Sequence, residues 1–190
     1  MYATDASAEQ IENAPSHPKV EYSVASASAS GLKDQSVGLV TVAQALHWFP
    51  AEAFRREVER VLVPGGWVVA WCYELFAISP EVDDVVKRLY DGILQEDWSP
   101  ERRHVETGYD TYPWPWTKSQ TPEFVMNAMW SREDVLGYLG TWSASRKYRR
   151  RTGQDAVALI EPALRAAWPE GGRREVRWPM PVVASRWSGS

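Results

Sequence analysis

The chain has 190 residues, a formal net charge of −4 and one cysteine, Cys72, and it carries 11 tryptophans and 8 tyrosines. This length suits one domain with a sizeable core, the acidic balance argues against a nucleic-acid-binding surface, and a single cysteine excludes an intramolecular disulfide framework. No apolar run is long enough to cross a bilayer, so we expect a cytoplasmic protein that contacts neither nucleic acid nor membrane.

The first third of the chain alternates short strands with helices. Residues 1–7 resemble the end of a strand that runs into a helix over residues 7–14. The alternating residues 20–24 predict a second strand, and the Ala-Ser stretch over residues 25–30 predicts a loop. Residues 37–43 form an apolar run, which is typical of a strand covered on both faces of a parallel sheet.

The next segment predicts a βαβ unit with polar and aromatic residues directly behind its first strand. A helix with one apolar face follows that strand, Pro64-Gly65-Gly66 predicts the end of this helix, and residues 67–73 predict a second buried strand. Ligands of open parallel sheets bind outside the carboxyl ends of the strands. The first candidates for a site therefore follow residue 43, and they are Gln44, Ala45, His47 and Trp48.

The second half of the chain predicts helices around an aromatic segment. Residues 98–120 have no period but contain five aromatic residues, which favours a lid or an interface. Ser131 and Asp134 resemble a capping box at the start of a helix that ends in the basic cluster before Gly153. We also predict helices over residues 79–93 and 157–168, the latter kinked or split by Pro162, a strand over residues 124–130, and a terminal strand over residues 174–187 interrupted by Pro179 and Pro181.

Four segments resemble one known family. ATDAS at residues 3–7, SVGLVTVAQALHWF at 36–49, VLVPGGWVVAW at 61–71 and TWSA at 141–144 are similar to class I S-adenosylmethionine-dependent methyltransferases, closest to the trans-aconitate methyltransferase-like branch. The resemblance implies an α/β, Rossmann-like class I methyltransferase sheet, N-terminally truncated, with an aromatic-rich helical lid region. It implies that the chain begins at the end of the family's second strand, without the first strand and the glycine-rich loop.

The same resemblance implies one domain with two parts and assigns the cofactor contacts. Residues 1–96 would form a partial α/β cofactor half, and residues 97–190 would form lid helices and C-terminal strands. Asp5, with Ala6, would accept hydrogen bonds from the ribose of S-adenosylmethionine; the alternative for Asp5 is a helix N-cap. The remaining contacts would be Ser26 and Ala27 at the adenine and Gln44 and Ala45 at the methionine part, for which a plain loop is the alternative.

His47 and Trp48 are the candidates to face the transferred methyl group and the acceptor. The alternatives are a hydrogen-bonded structural histidine and a tryptophan that packs under the following helix. A small-molecule acceptor, if it is a carboxylic acid, would suit an arginine that binds through two parallel hydrogen bonds. The available arginines are Arg102, Arg103, Arg146 and Arg149, and the alternative for each is a solvated charge on a helix end or loop. The predicted acceptor contacts are Tyr73, Tyr109, Trp114 and Arg146, and the widely spaced His17, His47 and His104 make a metal site improbable.

Two other function classes remain open at this point. A truncated, non-catalytic remnant or scaffold could complete its sheet by pairing its exposed strand edges with another chain, and a homodimer would be one form of such pairing. A nicotinamide oxidoreductase is disfavoured, because the VAQALHWF segment has no evident role in one.

Overall fold

The structure is a computed structural model that describes residues 1–169 and 171–189. These residues divide into two compact units, and each is described by itself. The first unit comprises residues 1–72, 109–122 and 182–189, and the second comprises residues 73–108 and 123–181.

Seven strands and seven α-helices are assigned within the described residues. In chain order they are β1 (Tyr2–Asp5), α1 (Ala8–Glu12), β2 (Glu21–Val24), β3 (Val37–Ala43), α2 (Ala51–Val61), β4 (Leu62–Trp71), α3 (Pro80–Lys87), α4 (Arg102–Glu106), β5 (Val125–Trp130), α5 (Arg132–Thr141), α6 (Ser143–Thr152), α7 (Ala156–Ala167), β6 (Arg174–Pro179) and β7 (Val182–Arg186). Short 3₁₀ turns cover Leu46–Trp48 and Gln95–Asp97, and a π-helical segment over Arg88–Ile93 extends α3.

The first unit is built from parallel strand pairs. β1 pairs in parallel with β2, and Asp5 lies opposite Val24. β3 pairs in parallel with β4, which also pairs antiparallel with β7. The predicted strand over residues 37–43 and the predicted helix of the βαβ unit are confirmed, and α2 buries Phe54, Val58 and Val61 on one face.

β3 is less buried than its apolar sequence predicts. Val42 is its one buried residue, and Leu39 is 55% exposed. Within the described residues β3 is the outer strand of its sheet, so that only the edge facing β4 is covered. The expectation of burial on both faces was therefore wrong for this strand, because burial depends on neighbours that a local pattern does not reveal.

The Pro-Gly-Gly segment lies inside a strand, contrary to the prediction of a separate turn. β4 already begins at Leu62, and its register with β3 shifts, since Leu62 lies opposite Val37 whereas Trp67 lies opposite Leu39. The extra residues form a bulge that needs a positive φ of 82° at Gly65. A Cβ atom on Gly66 would lie 2.9 Å from the Val63 carbonyl oxygen and 3.1 Å from that of Gly38.

Gly66→Ala should therefore lower the free energy of unfolding by about 2 kcal/mol, because the clash involves backbone atoms that cannot rotate away. Urea denaturation followed by circular dichroism measures the change. Gly92→Ala is the matched control: a Cβ atom on this glycine of the π-helical segment would have no neighbour within 4 Å, so the variant should be neutral or stabilising. Equal stability of the two variants would contradict the close approach at Gly66.

The second unit packs helices against an antiparallel strand pair. β5 and β6 pair from Val125 opposite Pro179 to Trp130 opposite Arg174. Their inner side and the helices α3, α5 and α7 share one apolar core, and Ile160, Leu164 and Trp168 contribute to it from α7. The predicted capping box is confirmed: the Ser131 backbone N–H donates to Asp134 Oδ2 at 2.8 Å, and the Asp134 N–H donates to Ser131 Oγ at 3.1 Å.

Several predicted boundaries in this unit were wrong. The single helix expected after Ser131 is two helices, because the backbone of Trp142 leaves the helical region with ψ at 138°. α7 instead continues through Pro162 as one element, since residues on both sides of the proline are buried in the same core. The aromatic segment contains the short helix α4, and the predicted terminal strand is two strands, β6 and β7, separated at Met180 and Pro181.

Candidate functional site

Asp5 ends β1 with its carboxylate at the carboxyl end of a parallel strand pair. Asp5 Oδ1 accepts the backbone N–H of Ser7 at 2.8 Å, and its other carboxylate oxygen has no hydrogen-bond partner among the described residues. Ser7, and not Asp5, caps α1, because Ser7 Oγ accepts the Gln10 N–H. The neighbouring Ala6 is exposed. The capping role considered for Asp5 is thus filled by another residue, and one carboxylate oxygen faces outward.

The loop behind β2 begins beside Asp5. Ser26 Oγ accepts the Ser28 N–H at 3.2 Å, and the loop closes with the Ala29 N–H on the Ser26 carbonyl oxygen. Ser30 anchors the loop to α2, since both its N–H and its hydroxyl donate to Glu57 Oε1, at 2.7 and 2.6 Å. Ser28 Oγ is buried and has no hydrogen-bond partner among the described residues. The loop that carries Ser26 and Ala27 therefore starts at the same end of the β1–β2 pair as Asp5, where the Ala25 N–H donates to the Asp5 carbonyl oxygen at 3.0 Å, and it contains one buried hydroxyl without a partner among the described residues.

The chain reverses sharply after β3. Gln44 adopts a left-handed backbone with φ at 51°, and its N–H donates to the Trp71 carbonyl oxygen at 2.9 Å. Left-handed non-glycine residues cost free energy and cluster at functional sites. Ala45 precedes the 3₁₀ turn that carries His47 and Trp48. The turn buries His47, which is 8% exposed, whereas Trp48 is 56% exposed.

An aromatic segment of the same unit covers His47. The ring of Tyr109 stacks at 6.4 Å between centroids and 27° from the His47 ring, and the Trp48 ring lies 4.7 Å from it. The Tyr112 hydroxyl donates to the Phe49 carbonyl oxygen at 3.3 Å, and burial raises the pKa of Tyr112 to about 12. Tyr112 therefore stays protonated at neutral pH, and the segment after residue 108 is fastened to the turn that holds His47.

Trp114 is engaged elsewhere in the first unit. Its Nε1–H donates to Ser185 Oγ at 2.9 Å, and Ser185 in turn donates to the Thr117 carbonyl oxygen at 2.7 Å. Its ring meets Trp116 edge to face at 5.1 Å. These contacts tie residues 114–117 to β7.

The second unit contains an open aromatic cleft of about 190 Å³. This is smaller than the about 300–1,000 Å³ of typical sites for drug-sized ligands, so the cleft suits a small ligand. Tyr73 lines this cleft, whereas Arg146 is exposed on α6 and is absent from its walls. The lining residues are Tyr73, Glu74, Leu75, Phe76, Trp98, Arg102, Tyr138, Thr141, Trp142 and Ser143.

The sequence did not single out most of this lining. Trp98 lies about 40 residues before the neighbouring pair Tyr138 and Trp142. The one local signal is the spacing of four between Tyr138 and Trp142, which places both rings on the same side of a helix. The meeting of this pair with Trp98 in a cleft depends on the tertiary structure.

Two kinds of feature are absent from the described residues. They contain no group of three or more His, Cys, Asp or Glu side chains arranged to hold a metal ion. Among the same residues no helix is long and apolar enough to pass through a membrane.

Comparisons with known proteins all point in one direction. Residues 1–70 match the family model described as a methyltransferase domain. A solved structure from Anaeromyxobacter dehalogenans, assigned as a type II methyltransferase, is 45% identical with a TM-score of 0.90, over 100% of this chain and 81% of that chain. A protein of Dictyostelium discoideum assigned as a methyltransferase is 29% identical over 184 residues, 93% of this chain and 70% of the relative.

A more distant structure supports the fold alone. A protein from Anabaena variabilis, assigned as a methyltransferase of an antibiotic biosynthesis pathway, is 16% identical with a TM-score of 0.51, over 93% of this chain and 80% of that chain. The family model and the proteins from Anaeromyxobacter dehalogenans and Dictyostelium discoideum favour methyl transfer over the non-catalytic scaffold that the sequence left open.

Proposed function

Because the chain belongs to the class I S-adenosylmethionine-dependent methyltransferases, with their Rossmann-like fold and their cofactor, we propose that it methylates a small molecule and that the acceptor is a carboxylic acid. The assignment of the chain to the trans-aconitate methyltransferase-like branch is part of this proposal. So does the division into a cofactor half, residues 1–96, and a second half, residues 97–190.

The observation that carries the proposal is the pair of unused polar groups at the carboxyl end of β1 and β2. The ribose of the cofactor has two adjacent hydroxyls, which suit the outward carboxylate oxygen of Asp5. The buried Ser28 hydroxyl, without a hydrogen-bond partner among the described residues, suits a nitrogen of the adenine ring. The residues present thus fit the adenosine half of S-adenosylmethionine, with Ala6, Ser26 and Ala27 as its further contacts.

Gln44 and Ala45 are proposed to contact the methionine half of the cofactor. The left-handed turn at Gln44 aims the backbone that follows β3 away from the sheet, which is the place where open parallel sheets bind ligands. The bound cofactor supplies an electrophilic methyl group on a sulfonium sulfur.

His47 and Trp48 are proposed to position the acceptor. A carboxylate is already a nucleophile, so that this reaction needs orientation and exclusion of water more than a general base. The burial of His47 under Tyr109 is consistent with such a positioning role. Tyr109 and Trp114 in the first unit, and Tyr73 and Arg146 in the second, remain predicted acceptor contacts.

Asp5→Asn tests the cofactor contacts. The asparagine side chain keeps an oxygen for the Ser7 N–H but loses the charge that strengthens hydrogen bonds to the ribose. We expect the affinity for S-adenosylhomocysteine, measured by isothermal titration calorimetry, to fall about 10- to 100-fold, as removal of a charged hydrogen-bonding group typically does.

Glu9→Gln is the matched control, because Glu9 is an exposed carboxylate of α1 only four residues away. It should bind S-adenosylhomocysteine like the unchanged protein. Equal affinities of the Asp5 and Glu9 variants would contradict the role of Asp5, and an unchanged protein that does not bind S-adenosylhomocysteine would contradict methyl transfer by this chain.

A further inference from the structure

One arginine in the aromatic cleft has no carboxylate partner. Arg102 is half-buried at the start of α4, and within the described residues no carboxylate oxygen lies within 4.0 Å of its guanidinium nitrogens. Some other arginines of the second unit do form ion pairs, as Arg151 does with the buried Asp97 and Arg165 with Glu161. A partly buried cation that lacks an internal counterion is suited to an external anion.

The guanidinium of Arg102 is held in place by the cleft itself. Its Nε–H donates to Tyr90 Oη at 2.8 Å, and the Tyr90 hydroxyl donates to Glu106 Oε1 at 2.6 Å. Arg102 Cζ lies 5.0 Å from the centre of the Trp98 ring and 5.6 Å from that of Tyr90. Nε is thus the guanidinium nitrogen that donates a hydrogen bond, and the two terminal nitrogens have no hydrogen-bond partner among the described residues. This leaves a fixed, two-pronged donor at the cleft.

The remaining walls are flat rings. Trp98 and Trp142 lie 5.5 Å apart between centroids, and Tyr138 meets Trp142 edge to face at 6.1 Å. Rings arranged in this way contact planar groups over a large area. A ligand with its anionic end on Arg102 would therefore present a planar group to these rings.

Glu74 limits the charge that such a ligand can carry. It is the one carboxyl group among the lining residues, it is partly buried, and a Cβ atom on Gly108 would lie 3.5 Å from its Oε1. Burial raises the pKa of Glu74, because the charged form of this carboxyl group is poorly solvated there. A second carboxylate on the ligand would be repelled at this end of the cleft.

We propose that this cleft binds planar monocarboxylic acids, with the carboxylate on the two terminal nitrogens of Arg102 and the planar body among Trp98, Tyr138 and Trp142, and that Glu74 rejects polycarboxylates. The conclusion that such an acid is the methyl acceptor rests on the proposed function. The conclusion that the cleft binds such an acid depends only on the residues of the cleft.

Calorimetric titration with cinnamate, a planar monocarboxylate, tests the site. We expect Arg102→Gln to weaken cinnamate binding about 10- to 30-fold, whereas Arg103→Gln, which removes an exposed charge from the adjacent position of α4, changes it less than about twofold. Cinnamamide, which has the same shape without the charge, should bind the unchanged protein as weakly as cinnamate binds the Arg102 variant. Equal binding of cinnamate by the two variants, or of the acid and the amide by the unchanged protein, would overturn the proposal.

Two further probes test selectivity. trans-Aconitate, a tricarboxylate, should bind more weakly than cinnamate, and Glu74→Gln should increase its affinity. Tetramethylammonium should not bind, and preferential binding of this cation would mean that the rings and Glu74 form a site of the opposite charge. Circular dichroism establishes that each variant is folded, and Arg102→Lys, which keeps the charge but not the fork, should show an intermediate loss if the glutamine variant is unfolded.

Titration of the same proteins with S-adenosylhomocysteine separates the two proposals. Cofactor binding without Arg102-dependent binding of cinnamate would refute the cleft proposal and leave methyl transfer intact. Arg102-dependent binding of cinnamate without cofactor binding would support the cleft and refute the proposed function.

Discussion

Replacing Trp178 by alanine will lower the free energy of unfolding by about 4 kcal/mol, as deletion of a large buried aromatic side chain typically does. Trp178 lies on β6 and is 2% exposed. Its ring contacts Trp130 at 4.8 Å, Phe76 at 5.8 Å and Tyr138 at 6.1 Å between centroids. The alanine variant loses both the burial and these aromatic pairs, which contribute beyond the area that they bury.

Trp48→Ala is the control for this experiment. The same atoms are removed from a tryptophan that is 56% exposed, so the free energy of unfolding should change by less than about 1 kcal/mol. Urea denaturation followed by circular dichroism measures both variants. A loss below about 2 kcal/mol for Trp178→Ala would mean that the core of the second unit does not depend on its aromatic cluster.

The second large effect concerns Glu57, a buried carboxylate of α2. The side chain of Arg60 and the hydroxyl and N–H of Ser30 hydrogen-bond to it and lower its pKa from 4.5 to about 2. The ionised form is favoured in the folded chain, so this stabilisation is present above pH 4.5 and is lost as the pH falls toward 2. The pKa difference between the unfolded and the folded chain corresponds to about 3 kcal/mol in the free energy of unfolding at neutral pH.

We therefore expect Glu57→Gln to destabilise the protein by about 3 kcal/mol at pH 7, with the difference from the unchanged protein shrinking between pH 5 and pH 2. Urea denaturation at a series of pH values measures this dependence. Glu52→Gln is the control, because Glu52 bonds to Arg55 on the same helix but its side chain is 62% exposed, and this variant should be as stable as the unchanged protein. If the stability difference between Glu57→Gln and the unchanged protein did not depend on pH, the ionic origin of the effect would be contradicted.

The elements that the sequence predicted correctly are those with local signals. The apolar run at residues 37–43 is β3, the apolar face through Phe54 and Val58 is α2, and the Ser131–Asp134 pair caps α5. Each depends on the spacing of residues within a few positions, which is what periodicity and capping describe. The resemblance to methyltransferases came from the same continuous stretches.

The errors arise where distant contacts decide. Gly140 lies two residues before the break at Trp142 but does not by itself fix it, and the Trp142 ring packs against Tyr90 and Trp98. α4 has only five residues, too few for a period, and only Val105 is buried in it. The same applies to the sites: Gln44, His47 and Asp5 could be placed at strand ends, but the proximity of His47 to Tyr109 and the assembly of the aromatic cleft follow from tertiary structure.

The outer position of β3 has a consequence for the handling of this protein. Residues 36–43 carry no charged side chain and no proline, and no other strand of the described residues pairs with the edge of β3 that faces away from β4, where Leu39 is exposed. Segments of this composition can recruit identical strands into cross-β stacks. Aggregation at high protein concentration should therefore begin at this strand, and Leu39→Lys should reduce it by placing a charge on the exposed strand.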